Sequence, residues 1–483
     1  MNTQDTICAI ATAQGGAISI IRISGRDAIN ITDKIFYAAG NKHTPLAERP
    51  ANTITFGLIK NGNDEIIDEV LVSIFRAPHS YTGEDSVEIS CHGSSYILQQ
   101  VMQLLINNGC RAAGPGEYTQ RAFLNGKMDL SQAEAVADLI AATSAATHRM
   151  AMNQMRGGFS RELSILREKL LHLTSLMELE LDFSDHEELE FADRSELKDI
   201  ASQIERVISH LTNSFSMGNA LKNGVPVAIV GETNAGKSTL LNTLLNEERA
   251  IVSDIHGTTR DVIEDTINLE GITFRFIDTA GIRETTDAIE TLGIERSFQK
   301  LDQANIVLWV IDATCAEEQF KQLSDQIIPR CKDKHLIIVL NKFDLLDDSA
   351  KELLTNSINN KEGDNSSFTT ILGNVPKECA VMPLSAKNKD GLQGLQKQLI
   401  SYTTIPEMSQ NDIVVSNIRH YEALKHALDA IHRVQDGLNV QLSGDLISED
   451  LRQCLFHLAE IVGGEITTDE VLGNIFKHFC IGK

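Results

Sequence analysis

Short runs of apolar residues dominate the chain up to residue 118 and predict a small sheet. Runs rich in Ile, Val and Phe that end at Gly, Asn or Pro are typical of β-strands. We expect strands at Thr6–Ala11, Ala17–Ser24, Thr53–Ile59, Ile66–Phe75 and Ser86–Ser90. Apolar residues at helical spacing over Ile97–Ile106 predict a helix that stops at Asn107-Asn108-Gly109. Residues 1–118 are therefore predicted to form an α+β domain.

From about residue 120 the apolar spacing becomes that of a helix. Leu163, Leu166, Leu170, Leu173 and Met177 recur every three or four residues and predict one long amphipathic helix. The acidic stretch Asp185–Asp193 interrupts this pattern and predicts a solvated loop. The helical spacing of apolar residues resumes over Ile200–Leu211. Further helices are expected after residue 406, at Tyr421–Val434, Ser448–Ile461 and Asp469–Phe476.

Between these helical segments, residues 224–404 alternate apolar strands with helices. This alternation predicts a mainly parallel sheet that is covered on both faces. Because helical segments flank it, we predict a discontinuous helical domain, residues 119–223 and 405–483, into which the sheet domain is inserted. The polar stretch Asn356–Lys377 predicts a flexible loop on the inserted domain.

Composition restricts the possible classes of protein. A chain of 483 residues is too long for one core, and it has no run of about 20 apolar residues that could cross a membrane. The N-terminus lacks the pattern of a secretory signal, and the eight cysteines form no Cys-x-x-Cys pair. We therefore expect a cytoplasmic protein without a zinc site or disulfide framework. The net charge of −24 argues against nonspecific nucleic-acid binding, so an RNA partner would need a local basic patch or a second protein.

The inserted domain opens with the strongest chemical signal in the chain. Gly231-Glu232-Thr233-Asn234-Ala235-Gly236-Lys237-Ser238 matches G-x-x-x-x-G-K-[ST], after the apolar strand Val227–Val230 and before a predicted helix at Thr239. In such a loop, backbone amides and Lys237 neutralise phosphates while the Ser238 hydroxyl binds Mg²⁺. The inserted domain is therefore predicted to be a Ras-like P-loop domain.

Four further motifs complete the predicted site, and one of them identifies the nucleotide as GTP. The carboxylate of Asp344 in Asn341-Lys342-Phe343-Asp344 can accept two hydrogens from guanine but mismatches adenine. Asp278-Thr279-Ala280-Gly281 follows a predicted strand and is placed to sense Mg²⁺ and the γ-phosphate, and Thr258-Thr259 supplies the switch threonine. Ser385-Ala386-Lys387 resembles the loop that closes over the base. The predicted GTP-binding residues are Asn234, Ala235, Gly236, Lys237, Ser238, Thr239, Ser253, Asp254, Ile255, His256, Gly257, Thr258, Thr259, Asp278, Thr279, Ala280, Gly281, Asn341, Lys342, Asp344, Ser385, Ala386 and Lys387.

Motifs in the nucleotide site and at both ends of the chain make it similar to the MnmE (TrmE) family of tRNA-modification GTPases. They are Ile21-Arg22-Ile23-Ser24-Gly25, Tyr81-Thr82-Gly83-Glu84-Asp85, Cys91-His92-Gly93, the run Pro115–Lys127, the run Asp278–Arg296 and the terminal Phe479-Cys480-Ile481-Gly482-Lys483. The resemblance spans essentially the whole chain. Two departures, Ala13-Gln14 where the family usually has proline and the Asn356–Lys377 insertion, affect loops and no motif residue.

The resemblance implies a reaction and a set of partners. Members of the family install an aminomethyl or carboxymethylaminomethyl group on C5 of the wobble uridine of certain tRNAs, as homodimers that form a heterotetramer with the FAD-carrying protein MnmG. The one-carbon donor is 5,10-methylenetetrahydrofolate or 5-formyltetrahydrofolate, held in a folate-binding-like N-terminal domain. By resemblance, its contacts fall on Arg22, Glu88, Lys127 and Lys483. Cys480 is a candidate for a chemical role.

The resemblance also implies how GTP hydrolysis is organised. Ile282 stands where Ras-like switches place a water-orienting glutamine, and no arginine finger is recognisable. The family instead uses K⁺, whose ligands here fall on Asn234, Ser253, Ile255 and Thr258, with Mg²⁺ on Ser238 and Thr259. Glu290 matches the glutamate that acts on the attacking water, and hydrolysis is stimulated when two GTPase domains meet.

Two other classes share the nucleotide motifs. A ribosome-assembly GTPase would bind RNA without chemistry, but such proteins usually append a basic RNA-binding module. A regulatory GTPase would use its flanking domains only to bind protein partners. The acidic composition and the absence of a lysine-rich terminal module argue against the first class, and a folate-binding assay on residues 1–118 plus the C-terminal tail would separate both classes from the modifying enzyme.

Overall fold

The structure is a computed structural model. It describes residues 5–13, 15–39, 44–182, 194–232, 234–248, 265–277, 301–359, 379–403, 413–464, 475–476, 479 and 482. The chain divides into two compact units, and the second interrupts the first. Unit 1 comprises Met1–Ala141, Met150–Thr212 and Arg419–Lys483, and unit 2 comprises Ala142–Arg149 and Asn213–Ile418.

Seven of the described strands form the sheet of unit 1. They are β1 (Ile7–Ile10), β2 (Ile18–Ser24), β3 (Phe36–Ala38), β4 (Thr53–Lys60), β5 (Ile66–Phe75), β6 (Ser86–His92) and β7 (Arg111–Ala112). Their order is β3-β4-β5-β6-β2-β1-β7, with antiparallel neighbours except for the parallel pair β1 and β7. All five predicted strands are confirmed within one or two residues at each end.

Helices cover one face of this sheet. Leu98, Val101 and Leu105 of α2 (Ser95–Asn107) pack with Ile21 and Ile89 in a buried core, to which α1 (Ala28–Asp33) also contributes. Because side chains alternate along a strand, the neighbouring residues of β2 and β6 point to the opposite face. That face carries Arg22 and Glu88, which stand directly opposite each other in the register of the two strands.

The remaining described helices of unit 1 include the long helix that the leucine spacing predicts. They are α3 (Glu117–Leu124), α4 (Leu130–Ala141), α5 (Ala145–Met155, which begins in unit 2), α6 (Gly158–Asp182) and α7 (Arg194–Asn213), followed after unit 2 by two more whose bounds are Ile418–Asn439 and Gly444–Val462. Leu163, Leu166, Leu170, Leu173 and Met177 of α6 are all buried, as predicted. Most of the helix predicted at Asp469–Phe476 lies outside the described residues.

A buried ion-pair network anchors the residue at which the chain re-enters unit 1. The Arg419 guanidinium donates to both carboxylate oxygens of Glu134 at 3.0 and 2.9 Å, and His420 Nε2 lies 2.6 Å from the same carboxylate. Burial opposes ionisation, but the hydrogen bonds and charges of His420 and Arg419 outweigh it and lower the pKa of Glu134 to about 2. Glu134 is therefore ionised at neutral pH and ties α4 to the returning chain.

Unit 2 contains the second sheet. Its described strands are β8 (Val225–Val230), β9 (Asp265–Leu269), β10 (Ile272–Phe276), β11 (Ile306–Asp312), β12 (His335–Asn341) and β13 (Ala380–Pro383). Their order is β13-β12-β11-β8-β10-β9, and every neighbouring pair is parallel except β9 with β10. The prediction of a mainly parallel sheet is confirmed.

Alternate residues of the central strands supply cores on both faces of this sheet. Leu308 and Val310 belong to one core with Leu240, whereas Trp309 belongs to the other and stacks on Phe320 at 4.9 Å. The described helices of unit 2 are α8 (Phe215–Asn223), α9 (Lys237–Glu248), α10 (Ala316–Ile327), α11 (Asp348–Asn359) and α12 (Leu392–Ser401). No helix among the described residues has the length and apolarity needed to cross a membrane.

Candidate functional site

The phosphate-binding loop depends on two glycines that admit no side chain. Gly231, directly after β8, has φ +144°, and a Cβ there would lie 2.1 Å from the Val310 carbonyl oxygen. Gly236 has φ +96°, and a Cβ there would lie 2.1 Å from Asn341 Nδ2. Both positions are strained for any other residue. The loop therefore curls tightly and delivers the chain into α9, which begins at Lys237.

Lys237 is only 8% exposed, and its ammonium group faces the loop backbone. Nζ donates to the carbonyl oxygens of Gly231 at 2.7 Å and Glu232 at 2.5 Å. Burial lowers the pKa of Lys237 to about 8, and a bound phosphate would favour the charged form further. Asn234, with φ +67°, and the hydroxyl residues Ser238 and Thr239 are exposed beside it, so a nucleotide and Mg²⁺ can reach them.

Asn341 connects the phosphate loop to the predicted base-binding loop. It is 3% exposed, its Nδ2 donates to the Ala235 carbonyl at 2.8 Å, and its Oδ1 accepts from the Ala386 amide at 3.0 Å. Thr243 of α9 adds a hydrogen bond to the Ala386 carbonyl at 3.1 Å. Parallel strands end at the same edge of a sheet, which is why motifs separated by about a hundred residues meet here. Asn341 thus fixes the spacing of the two loops.

The predicted guanine-binding motif lies in a short turn that a second ion pair holds. Lys342 has φ +59° and donates to Asp312 Oδ2 at 2.6 Å. Burial raises the pKa of Asp312, but hydrogen bonds from Lys342 and Thr314 outweigh it, so the pKa is lowered overall. Asp344 lies in the adjoining turn Phe343–Leu345 and is partly exposed.

The structure brings together the described part of the predicted GTP site. The loop Asn234–Thr239, the turn with Asn341, Lys342 and Asp344, and the loop Ser385–Lys387 lie at one sheet edge, with Lys387 exposed. The other predicted residues of the GTP, Mg²⁺, K⁺ and hydrolysis sites lie outside the described residues and stay predictions. These are Ser253, Asp254, Ile255, His256, Gly257, Thr258, Thr259, Asp278, Thr279, Ala280, Gly281 and Glu290.

A second cluster lies in unit 1, on the sheet face opposite α1 and α2, where Tyr118 of α3 packs with Ile7 and Ala9. Arg22 Nε and Nη2 contact Glu88 Oε1 at 2.9 and 2.8 Å, and Arg22 Nη1 donates to the Gly482 carbonyl at 3.2 Å. The Arg22 guanidinium lies over the rings of Tyr81 and Tyr118, at 5.6 and 5.8 Å from their centroids. Two predicted folate residues therefore form one ion pair, and the end of the chain reaches it.

Lys127 borders the same region from another side. Its Nζ donates to the Pro78 carbonyl at 2.8 Å, and its aliphatic carbons lie beside Gly83. The segment 78–84, which carries Tyr81, therefore contacts both Lys127 and Arg22. Lys483, predicted to contact folate, and Cys480, a candidate for a chemical role, lie outside the described residues.

Comparison with known proteins identifies the family. Two family models match: "MnmE helical domain" over residues 130–480 and "GTP-binding protein TrmE N-terminus" over residues 6–127. A curated relative, the tRNA modification GTPase MnmE of Bacteroides thetaiotaomicron, is 66% identical over 99% of this chain and 100% of its own length. The chain belongs to the MnmE family of tRNA modification GTPases. The MnmE protein of Bacteroides fragilis strain YCH46 is 65% identical over the same shares of the two chains.

Family membership confirms the predicted GTPase of tRNA modification and the multidomain α/β fold class. A solved structure of the GTPase Era, in complex with MgGDPNP and a segment of 16S ribosomal RNA, matches part of the chain. It is 30% identical, covers 43% of this chain and 66% of its own, and has a TM-score of 0.28. With so low a TM-score, this similarity carries no conclusion about function.

Sequence reasoning missed three parts of these clusters. Asn341 is predicted to belong to the GTP site, but its role as the link between two loops is not, and Asp312 has no predicted role. Tyr81 and Tyr118 occur in the family motifs, but the sequence does not associate them with Arg22. The tyrosines were visible as aromatic residues within these motifs, but their proximity to Arg22 arises from the tertiary fold.

Proposed function

We propose that the chain binds and hydrolyses GTP with Mg²⁺ in the cytoplasm and, with an FAD-carrying partner of the MnmG type, modifies C5 of the wobble uridine of certain tRNAs. The product would carry an aminomethyl or carboxymethylaminomethyl group. The observation that carries the proposal is the joint presence, in a member of this family, of the phosphate loop around Lys237 and the Arg22–Glu88 cluster. A GTPase without tRNA chemistry has no evident use for the second cluster.

The second cluster has the chemistry to hold a tetrahydrofolate, which supplies a one-carbon unit. Folate combines a pteridine ring that carries hydrogen-bond donors with a glutamate tail that carries carboxylates. Glu88 offers a carboxylate to ring donors, whereas the ammonium of Lys127 is exposed and can pair with the tail. Arg22, held by Glu88, orients that carboxylate. We assign Arg22, Glu88, Lys127 and Lys483 to this site, with Cys480 as a candidate for a chemical role.

We propose three domains. Residues 1–118 bind folate and form the dimer, residues 119–223 and 405–483 form the helical domain, and residues 224–404 form the GTPase domain. The interruption of unit 1 by Asn213–Ile418 supports an inserted GTPase domain. Guanine selection falls to Asp344, phosphate binding to Lys237 and Mg²⁺ binding to Ser238 with Thr259.

We propose a homodimer that forms through exposed apolar residues of β4 and β5 in unit 1, with the GTPase domains meeting only in the GTP state. Ile54, Phe56 and Leu71, which are 69, 49 and 45% exposed, form an apolar patch on β4 and β5, where Phe56 pairs with Leu71. Sedimentation without nucleotide should give twice the chain mass. Phe56→Glu should give monomers, whereas Ile140→Glu, a charge added at another exposed apolar residue, should not. A monomeric wild-type chain at micromolar concentration would contradict the proposal.

We expect K⁺ to stimulate GTP hydrolysis. Charge develops on the γ-phosphate during hydrolysis, and the sequence has no recognisable arginine finger to offset it. Asn234 projects from the phosphate loop with φ +67° and is exposed, so its side chain is free to bind an ion there. GTP turnover should rise at least about tenfold when K⁺ replaces Na⁺ at constant ionic strength. Asn234→Ala should abolish the rise with little effect on nucleotide affinity.

The same assay tests Glu290 as the residue that acts on water. Glu290→Ala should slow single-turnover hydrolysis without weakening GTP binding, because its carboxylate would contact water and not the nucleotide. Glu284→Ala provides a matched control, since it removes another glutamate of the same segment. Equal turnover in the two salts, together with normal hydrolysis by the Glu290 variant, would contradict this mechanism and leave the GTPase assignment intact.

A further inference from the structure

Two tyrosines flank Arg22, but only one of them can meet a ligand. Tyr118 is fully buried, and its hydroxyl donates to the Arg22 carbonyl at 2.7 Å. Tyr81 is 36% exposed, although its hydroxyl is bonded to Thr119 Oγ1 at 2.8 Å and its ring lies beneath the Arg22 guanidinium. Tyr81 therefore presents an oriented aromatic surface beside the Arg22–Glu88 pair.

Buried charges hold the segment that carries Tyr81. Glu84 accepts from Arg121 at 3.2 Å, and Arg121, which is 3% exposed, also donates to the Asp5 carboxylate at 2.8 Å and to Glu117 at 3.1 Å. Removing one member of such a network leaves an uncompensated buried charge. Moving the segment away from Arg121 would therefore cost free energy.

Neutral hydrogen bonds fix the same segment next to Tyr81. Thr82 Oγ1 is bonded to Ser24 Oγ at 2.7 Å, and the Thr82 carbonyl accepts from Asn125 Nδ2 at 2.8 Å. A ring that is held in place before binding loses little conformational freedom when a flat ligand stacks on it. The position of Tyr81 is thus set in advance of any ligand.

The groups around Tyr81 indicate the chemical class of that ligand. A carboxylate at Glu88 and a guanidinium at Arg22 lie on one side, and the exposed ammonium of Lys127 borders the segment 78–84 on another. A planar heteroaromatic ring with hydrogen-bond donors and an anionic tail matches this arrangement. Resting on the proposed folate site, we infer that Tyr81 stacks against the pteridine ring of the bound one-carbon donor and sets the affinity for it.

The test measures binding of 5-formyltetrahydrofolate to the full chain by isothermal titration calorimetry. Tyr81→Leu removes the aromatic plane and should weaken binding by about tenfold or more, as loss of a stacking side chain does elsewhere. Tyr81→Phe keeps the plane and should bind within about threefold of the wild type. If the affinities follow this order, the aromatic ring contributes to binding and the hydroxyl that bonds Thr119 does not.

Tyr37→Leu is the matched control. Tyr37 lies in the same sheet and also has a cation above its ring, with Lys60 Nζ 4.8 Å from the centroid. Loss of that ring should leave folate affinity unchanged. If Tyr81→Leu binds as tightly as the wild type, or if Tyr37→Leu weakens binding equally, the inference is overturned.

A second variant keeps the test decisive if Tyr81→Leu does not fold. Tyr81→Trp retains an aromatic plane and adds an exposed indole to a chain whose single tryptophan, Trp309, is fully buried. Bound 5-formyltetrahydrofolate should protect the new indole from quenching by acrylamide. Unchanged quenching in the presence of bound ligand would overturn the inference.

The two proposals fail in different ways. Absence of folate binding by the wild-type chain would remove the proposed donor site and the role of Tyr81 with it. Folate binding by the wild type that does not respond to loss of the Tyr81 ring would remove only the stacking contact.

Discussion

Asn341→Ala should abolish tight GTP binding. The change removes the partner of the Ala235 carbonyl and of the Ala386 amide, both in the buried link between two loops. Each unpaired buried group costs about 1–3 kcal/mol, so the loss of affinity should run from about thirtyfold to above ten-thousandfold. Titration with a fluorescent GTP analogue measures this loss, and thermal unfolding shows how much of it arises from destabilisation of unit 2.

Asn388→Ala is the control for this prediction. Asn388 lies in the same loop region, and its side chain is exposed. Its backbone amide, which the substitution keeps, donates to Ser385 Oγ at 3.2 Å. The control should bind GTP as the wild type does. An Asn341 variant with wild-type affinity and wild-type melting temperature would show that the two loops keep their spacing without this side chain.

Arg22→Ala should separate the two activities of the chain. Loss of the guanidinium leaves the Glu88 carboxylate and the Gly482 carbonyl without this donor and removes the cation above Tyr81. Folate binding should fall below detection and tRNA modification should be lost. GTP turnover should stay within about twofold of the wild type, because Arg22 belongs to the other compact unit.

Arg26→Ala provides the matched control for that variant. Arg26 is exposed just beyond β2 in the same unit. Its loss should change neither folate binding, modification nor GTP turnover. Full modification by the Arg22 variant, or an equal loss of GTP turnover and modification, would contradict separate roles for the two sites.

Much of the architecture could be predicted because it depends on local periodicity. The strands around Ile21 and Ile89 alternate buried and outward residues, and the leucines of α6 repeat at helical spacing. Each of these patterns predicts its element directly from the sequence. The sequence did not reveal β3, β7 or α1, because runs of three, two and six residues are too short to establish a period. Loop motifs such as Gly231–Ser238 were readable because their chemistry restricts residue types.

The contacts within the sites were less predictable. Asn341 meets Ala235 from 106 positions away, and Tyr118 meets Arg22 from 96 positions away. Such pairs depend on which strands become neighbours and on the register between them, and neither is encoded locally. Arg22 and Glu88 illustrate this point, since their pairing follows from the register of β2 with β6. The family resemblance named both residues, but only the fold shows that they neutralise each other.

Mass spectrometry of tRNA from cells that lack this chain tests the central claim most directly. Wobble uridines that carry the C5 aminomethyl or carboxymethylaminomethyl group should lose it in these cells. The wild-type chain should restore the group, as should the Arg26→Ala variant, whereas the Asn341→Ala and Arg22→Ala variants should not. Wobble uridines that keep their C5 group when the chain is absent would contradict the assignment of this GTPase to tRNA modification.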